Sequence, residues 1–433
     1  MNLGIENKLR SIFLKMVIKF KITNLALWLK SDYLLFLIID LSLIRLNVNG
    51  KVNVLCISKP YFNENIQILS KNSRTLNYSF IPTYFFQAIF SKKVDLGLMS
   101  QHVSYHSNES FKINKKAYYS LLKRIFCRIY KKHKFQMVVA ANYVYSYLQE
   151  FARLNKDLSI PFVVFHKEGM AAPATFTEYV KCYTNNIFLG SDMLVYNNNM
   201  KNALLGGKVS GLNSGNIKTV GIPRFDKYYN LKNYQGQTIT FFSFYPEDKF
   251  RHIIKDSKIL EEINTFSIRF HKWVMEFARK SNNKILIKTK RNHHYLDYVK
   301  KIQKQFGIYS KNLVITNIGD SFNLIKQSNI VLGYNSSTLI EGLIANRKII
   351  SPSFNLHPKK DDNYFEGYEK IINLVSSKSE LYNSLQSTFK QDQDKSVINS
   401  FLEQFIYKND GKATKRCEKS FLEILNNRSF VDK

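Results

Sequence analysis

The sequence has few cysteines and no long apolar run. Its four cysteines are widely separated and form no CxxC pair, which argues against a zinc site or a disulfide framework and favours a reducing compartment. A membrane-spanning helix needs roughly 18 to 20 uninterrupted apolar residues, and no segment reaches that length. The most apolar stretch, residues 33–44, is too short and contains Asp40. The sequence therefore predicts neither a disulfide-stabilised domain nor a transmembrane helix.

Several well-known catalytic motifs are also absent. There is no Walker A motif, no GxGxxG after the first strand, no HExxH and no GxSxG elbow, which argues against ATPases, dehydrogenases, metalloproteases and serine hydrolases. No Asp-x-Asp lies in a setting suited to a metal-held nucleotide sugar. We therefore expect neither a metal ion nor another cofactor.

Acidic residues are scarce, with 33 Asp and Glu against 64 Lys and Arg and a formal net charge of +31. Such an excess predicts an anionic partner, which can be a nucleic acid, a membrane surface or a phosphorylated substrate. The basic residues are dispersed in short groups, and no nucleic-acid-binding signature is present, so we expect no nucleic-acid partner. Residues 1–50 form a basic amphipathic segment that either lies on an anionic membrane or packs as a helix on the following domain.

Short apolar runs alternate with helical patterns along both halves of the chain. The runs predicted as strands are 52–57, 94–99, 135–141, 161–165, 193–196 and 217–222 in the first half and 238–243, 284–288, 312–316, 329–332 and 347–350 in the second. This alternation predicts parallel βαβ units, and a length of 433 residues suits two domains. We predict an α/β protein with Rossmann-like domains at 51–230 and 238–433, a polar linker within 228–237, and a helical C-terminal tail. Ligand sites are expected beyond the carboxyl ends of the strands, in a cleft between the two domains.

In the second half, an apolar run at 329–332 is followed by a glycine and then by Ser336, Ser337 and Thr338 at the start of an amphipathic segment. A hydroxyl can cap that helix, and the backbone N–H groups and positive dipole end favour a phosphate. Asn335 belongs to the same turn, and Glu341 on the first helical turn is placed to accept hydrogen bonds from sugar hydroxyls. An ordinary capped helix is the alternative.

A basic strand end lies earlier in the same half. The strand predicted at 284–288 ends in Lys288, and Lys290, Arg291 and His293 follow it. These cations and hydrogen-bond donors are suited to phosphates. A solvated basic face is the alternative.

Two candidates in the first half carry carboxylates at strand ends. Glu168 follows the strand predicted at 161–165 and is a candidate general acid or base, whose pKa His166 can tune. Asp226 follows the run at 217–222 and lies between Arg224 and Lys227, which we expect to keep it ionised as a base or nucleophile. Capping of a helix is the alternative for Asp226. For Glu168 the alternative is a solvated loop with a surface ion pair. His357 places a further imidazole on a loop near the same cleft, for which a purely structural loop is the favoured interpretation.

These residues resemble the two-domain GT-B glycosyltransferases of bacterial surface polysaccharide assembly. The basic strand end at 288–291 and Tyr-Asn-Ser-Ser-Thr-Leu-Ile-Glu at 334–341 resemble the donor half of enzymes that use CMP- or CDP-activated substrates, in which a Ser-Ser pair holds the nucleotide phosphate. His-Lys-Glu at 166–168 and Gly-Ile-Pro-Arg-Phe-Asp at 221–226 look most like the retaining β-Kdo transferases of O-antigen and capsule synthesis. By this resemblance, Asp226 is the nucleophile and Glu168 the acid/base.

The resemblance implies a cytoplasmic enzyme at the inner face of the bacterial inner membrane. It would transfer Kdo or a related acidic sugar from a CMP-activated donor to a lipid-linked polysaccharide acceptor, as in lipopolysaccharide or capsule assembly, without a metal. Two other enzymes stay open, an inverting sialyltransferase-like enzyme and a CDP-polyol phosphotransferase. A non-catalytic scaffold bound peripherally to anionic membrane is the alternative outside enzymes.

Overall fold

The chain forms two compact units. The first contains residues 1–226, 405–407 and 412–433, and the second contains residues 227–404 and 408–411. The computed structural model describes residues 3–58, 63–94, 102–166, 176–229, 231–232, 234, 236–246, 256–354, 365, 368–369, 371–387 and 395–429.

The first unit is built on a seven-stranded sheet with the order β1-β3-β2-β4-β5-β6-β7. β1 runs antiparallel to β3, and every other neighbouring pair is parallel. Parallel strands are buried on both faces, which explains why strands such as Phe-Val-Val-Phe in β5 are continuously apolar. The strands are β1 (Ile44–Arg45), β2 (Val52–Ser58), β3 (Leu76–Pro82), β4 (Phe135–Ala140), β5 (Phe162–Phe165), β6 (Asp192–Val195) and β7 (Ile217–Thr219). The helices are α1 (Leu3–Lys19), α2 (Ile22–Trp28), α3 (Asp32–Ser42), α4 (Asn63–Asn72), α5 (Tyr84–Lys93), α6 (His102–Ser107), α7 (Lys112–His133), α8 (Ser146–Asp157), α9 (Phe176–Tyr183) and α10 (Asn198–Gly206).

The second unit has a six-stranded, entirely parallel sheet with the order β10-β9-β8-β11-β12-β13. Its strands are β8 (Thr238–Phe242), β9 (Lys284–Lys288), β10 (Leu313–Thr316), β11 (Ile330–Leu332), β12 (Lys348–Pro352) and β13 (Asn373–Val375). The remaining helices are α11 (Asp226–Tyr229), α12 (Ser257–Lys280), α13 (His293–Phe306), α14 (Ser321–Lys326), α15 (Ser337–Ile344), α16 (Lys378–Gln386), α17 (Lys395–Ile406) and α18 (Ala413–Ser429).

The predicted fold class is confirmed, because each unit alternates strands and helices around a largely parallel sheet, and the C-terminal tail is helical. β1, β3 and β13 were not predicted. The strand predicted at 94–99 lies mostly outside the described residues. The sequence-based division counted the last helix with the second domain, whereas α18 belongs to the first unit.

The charged residue in the apolar stretch 33–44 has a structural explanation. Asp40 lies on α3, almost fully buried, and its carboxylate is 2.6 Å from the imidazole of His133 and 2.7 Å from the ammonium of Lys132 on α7. Burial alone would raise the pKa of Asp40, but hydrogen bonds from these two side chains lower it to about 2. The ion pairs of Asp40 therefore hold α3 against α7.

Among the described residues, no helix is both long and apolar enough to cross a membrane.

Candidate functional site

The second unit carries a pocket at the carboxyl edge of its sheet. β9, β8 and β11 are parallel neighbours, so their carboxyl ends meet at one edge. The pocket there has a volume of about 250 Å³. It brings together four residues predicted from the sequence, Lys288, Lys290, Ser336 and Thr338, with residues that follow β8. The full lining is Phe242, Ser243, Phe244, Tyr245, Lys288, Thr289, Lys290, Gly319, Ser321, Tyr334, Ser336 and Thr338.

The turn from β11 into α15 places hydroxyl groups on the pocket wall. A side chain at Gly333 would put its Cβ 3.3 Å from the backbone oxygen of Phe242, so glycine allows the two strand ends to approach closely. Asn335 has a φ of 41°, a left-handed conformation that asparagine tolerates better than most residues. Ser336 is then the N-cap of α15, and its Oγ accepts hydrogen bonds from the backbone N–H of Thr338 at 3.4 Å and from its hydroxyl at 2.9 Å. The positive end of α15 thus lies at the pocket and favours an anion.

Ser337 and Glu341 are engaged differently from Ser336. The Ser337 hydroxyl donates to Glu341 Oε1 at 3.5 Å, and the hydroxyl of Tyr228 donates to Glu341 Oε2 at 2.7 Å. Glu341 is buried, and neither it nor Ser337 is among the described residues that line the pocket. Of the two predicted serines, Ser336 faces the pocket. A role for Glu341 in binding sugar hydroxyls stays a prediction.

The cations at the end of β9 are not equivalent. Lys288 is half-buried, and its ammonium donates to the backbone oxygens of Asn317, at 3.0 Å, and Thr289. Burial lowers the pKa of Lys288, and the charge of Arg291 lowers it further. A bound phosphate would counter both effects. Lys290 also lines the pocket, whereas Arg291 and His293 are exposed and do not.

The sequence did not predict a serine and histidine pair at the pocket, in which Ser243 lines the wall and His271 lies buried next to it. His271 on α12 is fully buried, and its Nδ1 lies 2.7 Å from the backbone oxygen of Ser267. A carbonyl oxygen only accepts, so Nδ1 carries the proton, and Nε2 accepts from the hydroxyl of Ser243 at 2.8 Å. Burial lowers the pKa of His271 to about 4. The neutral imidazole therefore fixes the orientation of the Ser243 hydroxyl in the pocket wall.

The buried, neutral His271 is expected to make stability depend on pH. Its pKa falls from 6.5 to about 4 on folding, so between these values the unfolded chain binds more protons than the folded one. The free energy of unfolding should then fall as the pH drops from 6.5 towards 4, by about 3 kcal/mol in full. Urea denaturation at a series of pH values between 4 and 6.5 measures this free energy. His271→Gln, which cannot ionise, should flatten the dependence, while His293→Gln at an exposed site should not. Identical pH profiles for the His271→Gln variant and the unmodified protein would contradict this assignment.

In the first unit, His166 is a buried packing residue. It follows β5 directly, its backbone N–H donates to the oxygen of Leu194 at 2.8 Å, and its Nε2 lies 3.3 Å from the hydroxyl of Tyr183. Its ring also packs 5.7 Å from that of Tyr143. Glu168 and His357 lie outside the described residues, so their roles stay predictions.

Asp226 joins two distant parts of the chain. Gly221 has a φ of 85° and turns the chain after β7 into a short 3₁₀ helix at Pro223–Phe225. Asp226 follows, and its two carboxylate oxygens accept hydrogen bonds from the backbone N–H groups of Ala413, at 3.0 Å, and Thr414, at 2.7 Å. These are the first residues of α18, so Asp226 satisfies N–H groups at the start of that helix.

Asp226 is harder to ionise than its flanking cations predicted. Burial raises the pKa of Asp226, and hydrogen bonds from Thr414 and Ala413 together with the charge of Arg416 offset this only in part. The two flanking cations, Arg224 and Lys227, contact aromatic rings. The guanidinium of Arg224 lies 4.8 Å from the ring centroid of Phe225, and the ammonium of Lys227 lies 5.3 Å from that of Tyr228. The carboxylate is therefore harder to ionise than its neighbours in the sequence imply.

The first unit also contains a larger pocket, of about 610 Å³, that the sequence analysis missed. It lies on helix faces, not at strand ends, and a buried carboxylate, Glu150, is part of its wall. That carboxylate accepts a hydrogen bond from Tyr105 at 2.9 Å and is 3.1 Å from the guanidinium of Arg153. In neither unit do the described residues place three His, Cys, Asp or Glu side chains so that they could hold a metal ion.

No protein-family model matches the chain, and no curated protein matches it in sequence. Solved structures do match its fold. A Listeria monocytogenes protein described as a UDP-N-acetylglucosamine 2-epimerase is 11% identical, with a TM-score of 0.51 over 87% of this chain and 98% of its own. The wall teichoic acid polymerase TagF is 13% identical, with a TM-score of 0.50 over 96% of this chain and 98% of its own. Together with the two Rossmann-like units, these similarities show that the chain has the GT-B fold.

Proposed function

We propose that the protein is a glycosyltransferase that uses a nucleotide-activated donor, and that the pocket of the second unit holds the donor's phosphate. The observation that carries the proposal is the convergence of Lys288, Lys290, Ser336, Thr338 and the N-terminus of α15 on one pocket. Ammonium groups, hydroxyls and a helix N-terminus are together the groups that bind phosphate oxygens in proteins.

The size of the pocket suits part of a donor. Its volume of about 250 Å³ is below the roughly 300–1,000 Å³ of sites that enclose a whole small molecule. A phosphate with its ribose fits such a volume. The rings of Phe244, Tyr245 and Tyr334 line the same pocket and offer apolar surface to the ribose or base.

CMP-Kdo, or a related CMP-linked acidic sugar, is the donor we propose. This donor carries a phosphodiester and a sugar carboxylate, which suits a chain with a net charge of +31. Lys288 and the N-terminus of α15 would stabilise the charge that develops on departing CMP. The acceptor would be a lipid-linked polysaccharide at the cytoplasmic face of an anionic membrane.

Retention of configuration would proceed in two displacements. A carboxylate oxygen of Asp226 would form a bond to the anomeric carbon as the bond from that carbon to the CMP phosphate breaks. An acceptor hydroxyl would then attack the same carbon, lose its proton to Glu168 and release Asp226. Each carboxylate oxygen has two lone pairs, so the hydrogen bonds from Ala413 and Thr414 leave electron pairs on Asp226.

Transfer of a polyol phosphate from a CDP-activated donor is the second candidate. The similarity to a wall teichoic acid polymerase, which extends over 96% of this chain, favours it. An inverting, sialyltransferase-like reaction would use the same donor pocket, with Asp226 or Glu168 acting as a base.

The test is an assay of purified protein with CMP-Kdo, CMP-sialic acid, CDP-glycerol and UDP-N-acetylglucosamine, measuring nucleotide release and modification of the acceptor. Release of CMP from CMP-Kdo only with acceptor present supports the proposal. Turnover of CDP-glycerol alone would replace it with the second candidate, and epimerisation without acceptor would exclude transfer. With CMP-Kdo, a Glu168→Gln variant should accumulate a sugar adduct on Asp226 that mass spectrometry detects.

The two serines of the turn should differ in their effect on nucleotide binding. Ser336→Ala removes a pocket hydroxyl and the cap of α15, so CMP affinity should fall about tenfold, with a loss of about 1 kcal/mol of stability. Ser337→Ala should leave affinity within about twofold, because that hydroxyl contacts Glu341. Calorimetric titration with CMP measures both. Equal losses would show that both serines contact the phosphate.

A further inference from the structure

α1 carries an apolar stripe on the side that faces away from the first unit. Ile5, Leu9, Ile12 and Met16 are spaced for one face of a helix, and each is between 46% and 56% exposed. On the same helix, Leu14 and Val17 are buried in the core of the unit. Packing therefore accounts for one face of α1 and leaves the stripe in contact with solvent.

α2 packs against α1, and it and the residue after it carry further exposed apolar side chains. Leu25, Trp28 and Leu29 are exposed, and Trp28, at 76%, is among the most exposed large apolar side chains in the described residues. We call the surface formed by the α1 stripe and these three residues the outer face. Several exposed apolar side chains on two adjacent helices mark an interaction site.

The exposed charged side chains beside the outer face are lysines. The exposed Lys8, Lys15 and Lys19 project along one side of the α1 stripe. Lys21 and Lys30 flank α2 and are also exposed. Within residues 3–31 the only acidic side chain is Glu6, which is paired with Arg10 at 2.8 Å. An apolar stripe bordered by cations is complementary to a surface that is apolar inside and anionic outside.

We propose that the outer face binds the surface of a bilayer containing anionic phospholipid, with α1 and α2 lying in the plane of the interface. Apolar side chains would enter the acyl boundary while the lysines contact lipid phosphates. A second copy of the chain suits this surface poorly, because a two-fold contact would bring the lysines of both copies to one interface without exposed acidic partners. The inference deepens the proposed function, on which it rests for the identity of the lipid-linked acceptor.

Vesicle binding tests the proposal with the full chain and no donor. The protein should sediment with phosphatidylcholine vesicles containing phosphatidylglycerol, and at least tenfold less with phosphatidylcholine alone. Two triple variants should each bind the anionic vesicles at least tenfold more weakly. One combines Leu9→Ser, Met16→Ser and Trp28→Ser, and the other combines Lys8→Gln, Lys15→Gln and Lys19→Gln. The matched control is Ile318→Ser, because Ile318 is 79% exposed in the second unit. All these side chains are exposed, so circular dichroism should show unchanged folding.

Tryptophan fluorescence locates the contact. The chain has two tryptophans, so a Trp273→Phe variant leaves Trp28 as the reporter. Its emission should shift to shorter wavelength on addition of anionic vesicles. No shift, no sedimentation, or a dimer that the triple serine variant dissociates would each overturn the proposal. Nucleotide release with an acceptor in detergent should be the same in the triple variant and the unmodified protein, so failure of the membrane proposal is separable from failure of the proposed function.

Discussion

Replacing Lys288 with methionine is expected to weaken CMP binding about 10- to 150-fold. A hydrogen bond to a charged group contributes about 1.5–3 kcal/mol, and every 1.4 kcal/mol corresponds to a factor of ten. Lys288 meets the conditions for the upper part of this range, because its ammonium is half-buried and is held at the pocket by two backbone carbonyls. Calorimetric titration with CMP, and kcat/KM with the donor, measure the effect.

Lys284 provides a matched control on the same strand. It begins β9, at the edge of the sheet opposite the pocket, and is exposed. Lys284→Met should leave CMP affinity unchanged. Equal CMP affinity in Lys288→Met and the unmodified protein would show that the phosphate does not bind in this pocket.

The pH dependence of binding gives a second measurement on Lys288. Burial and the charge of Arg291 lower its pKa below the usual 10.5, so it loses its proton earlier than an exposed lysine as the pH rises. CMP affinity should therefore decline as the pH approaches this lowered pKa from below. The decline should be absent in Lys288→Met.

The fold could be predicted because most of its strands are buried in parallel sheets and are apolar along their length. β5 and β9 are examples that a local pattern detects. β3 was missed since Asn77 and Ser79 interrupt its apolar residues, although it pairs with β2 over its full length. β13 is a three-residue edge strand and is too short to leave a periodic pattern.

The donor pocket was predictable in part because each of its elements follows a strand. That rule identified Lys288 and Ser336, and applied after β8 it would also have found Ser243 and Tyr245. It could not separate Ser336 from Ser337, because the left-handed turn at Asn335 decides which hydroxyl faces the pocket.

The hydrogen-bond partners of Asp226 could not be predicted from a local sequence pattern. Ala413 and Thr414 are 187 and 188 residues away along the chain, so only the folded structure brings them to the carboxylate. The flanking cations suggested an ionised group, whereas burial determines the direction of the shift.

Asp226→Asn is expected to abolish transfer, by about 1,000-fold or more in kcat, while leaving the protein folded. A nucleophile cannot be replaced by a neutral amide, and loss of such a group costs several orders of magnitude in rate. The fold should tolerate the change, because the amide oxygen still accepts one of the two backbone hydrogen bonds at the start of α18. The raised pKa of Asp226 also predicts that the asparagine variant folds. A carboxylate whose folded pKa lies above its unfolded value of 3.8 contributes stability below about pH 4, and this contribution is lost as the pH rises through the folded pKa. At neutral pH the Asp226→Asn variant has an uncharged amide in place of the buried carboxylate, so it avoids the cost of burying that charge.

Comparison of three variants separates a catalytic Asp226 from one that only caps a helix. Asp226→Ala removes both hydrogen bonds and should lower the free energy of unfolding by about 1–2 kcal/mol. Asp256→Asn changes an exposed N-cap aspartate on α12 and should alter neither activity nor stability by more than a small amount. If Asp226 only holds α18, activity in Asp226→Asn will follow the folded fraction and return to normal at low temperature. If it is the nucleophile, thermal unfolding of Asp226→Asn will be nearly unchanged and CMP will still bind, but no sugar will be transferred at any temperature.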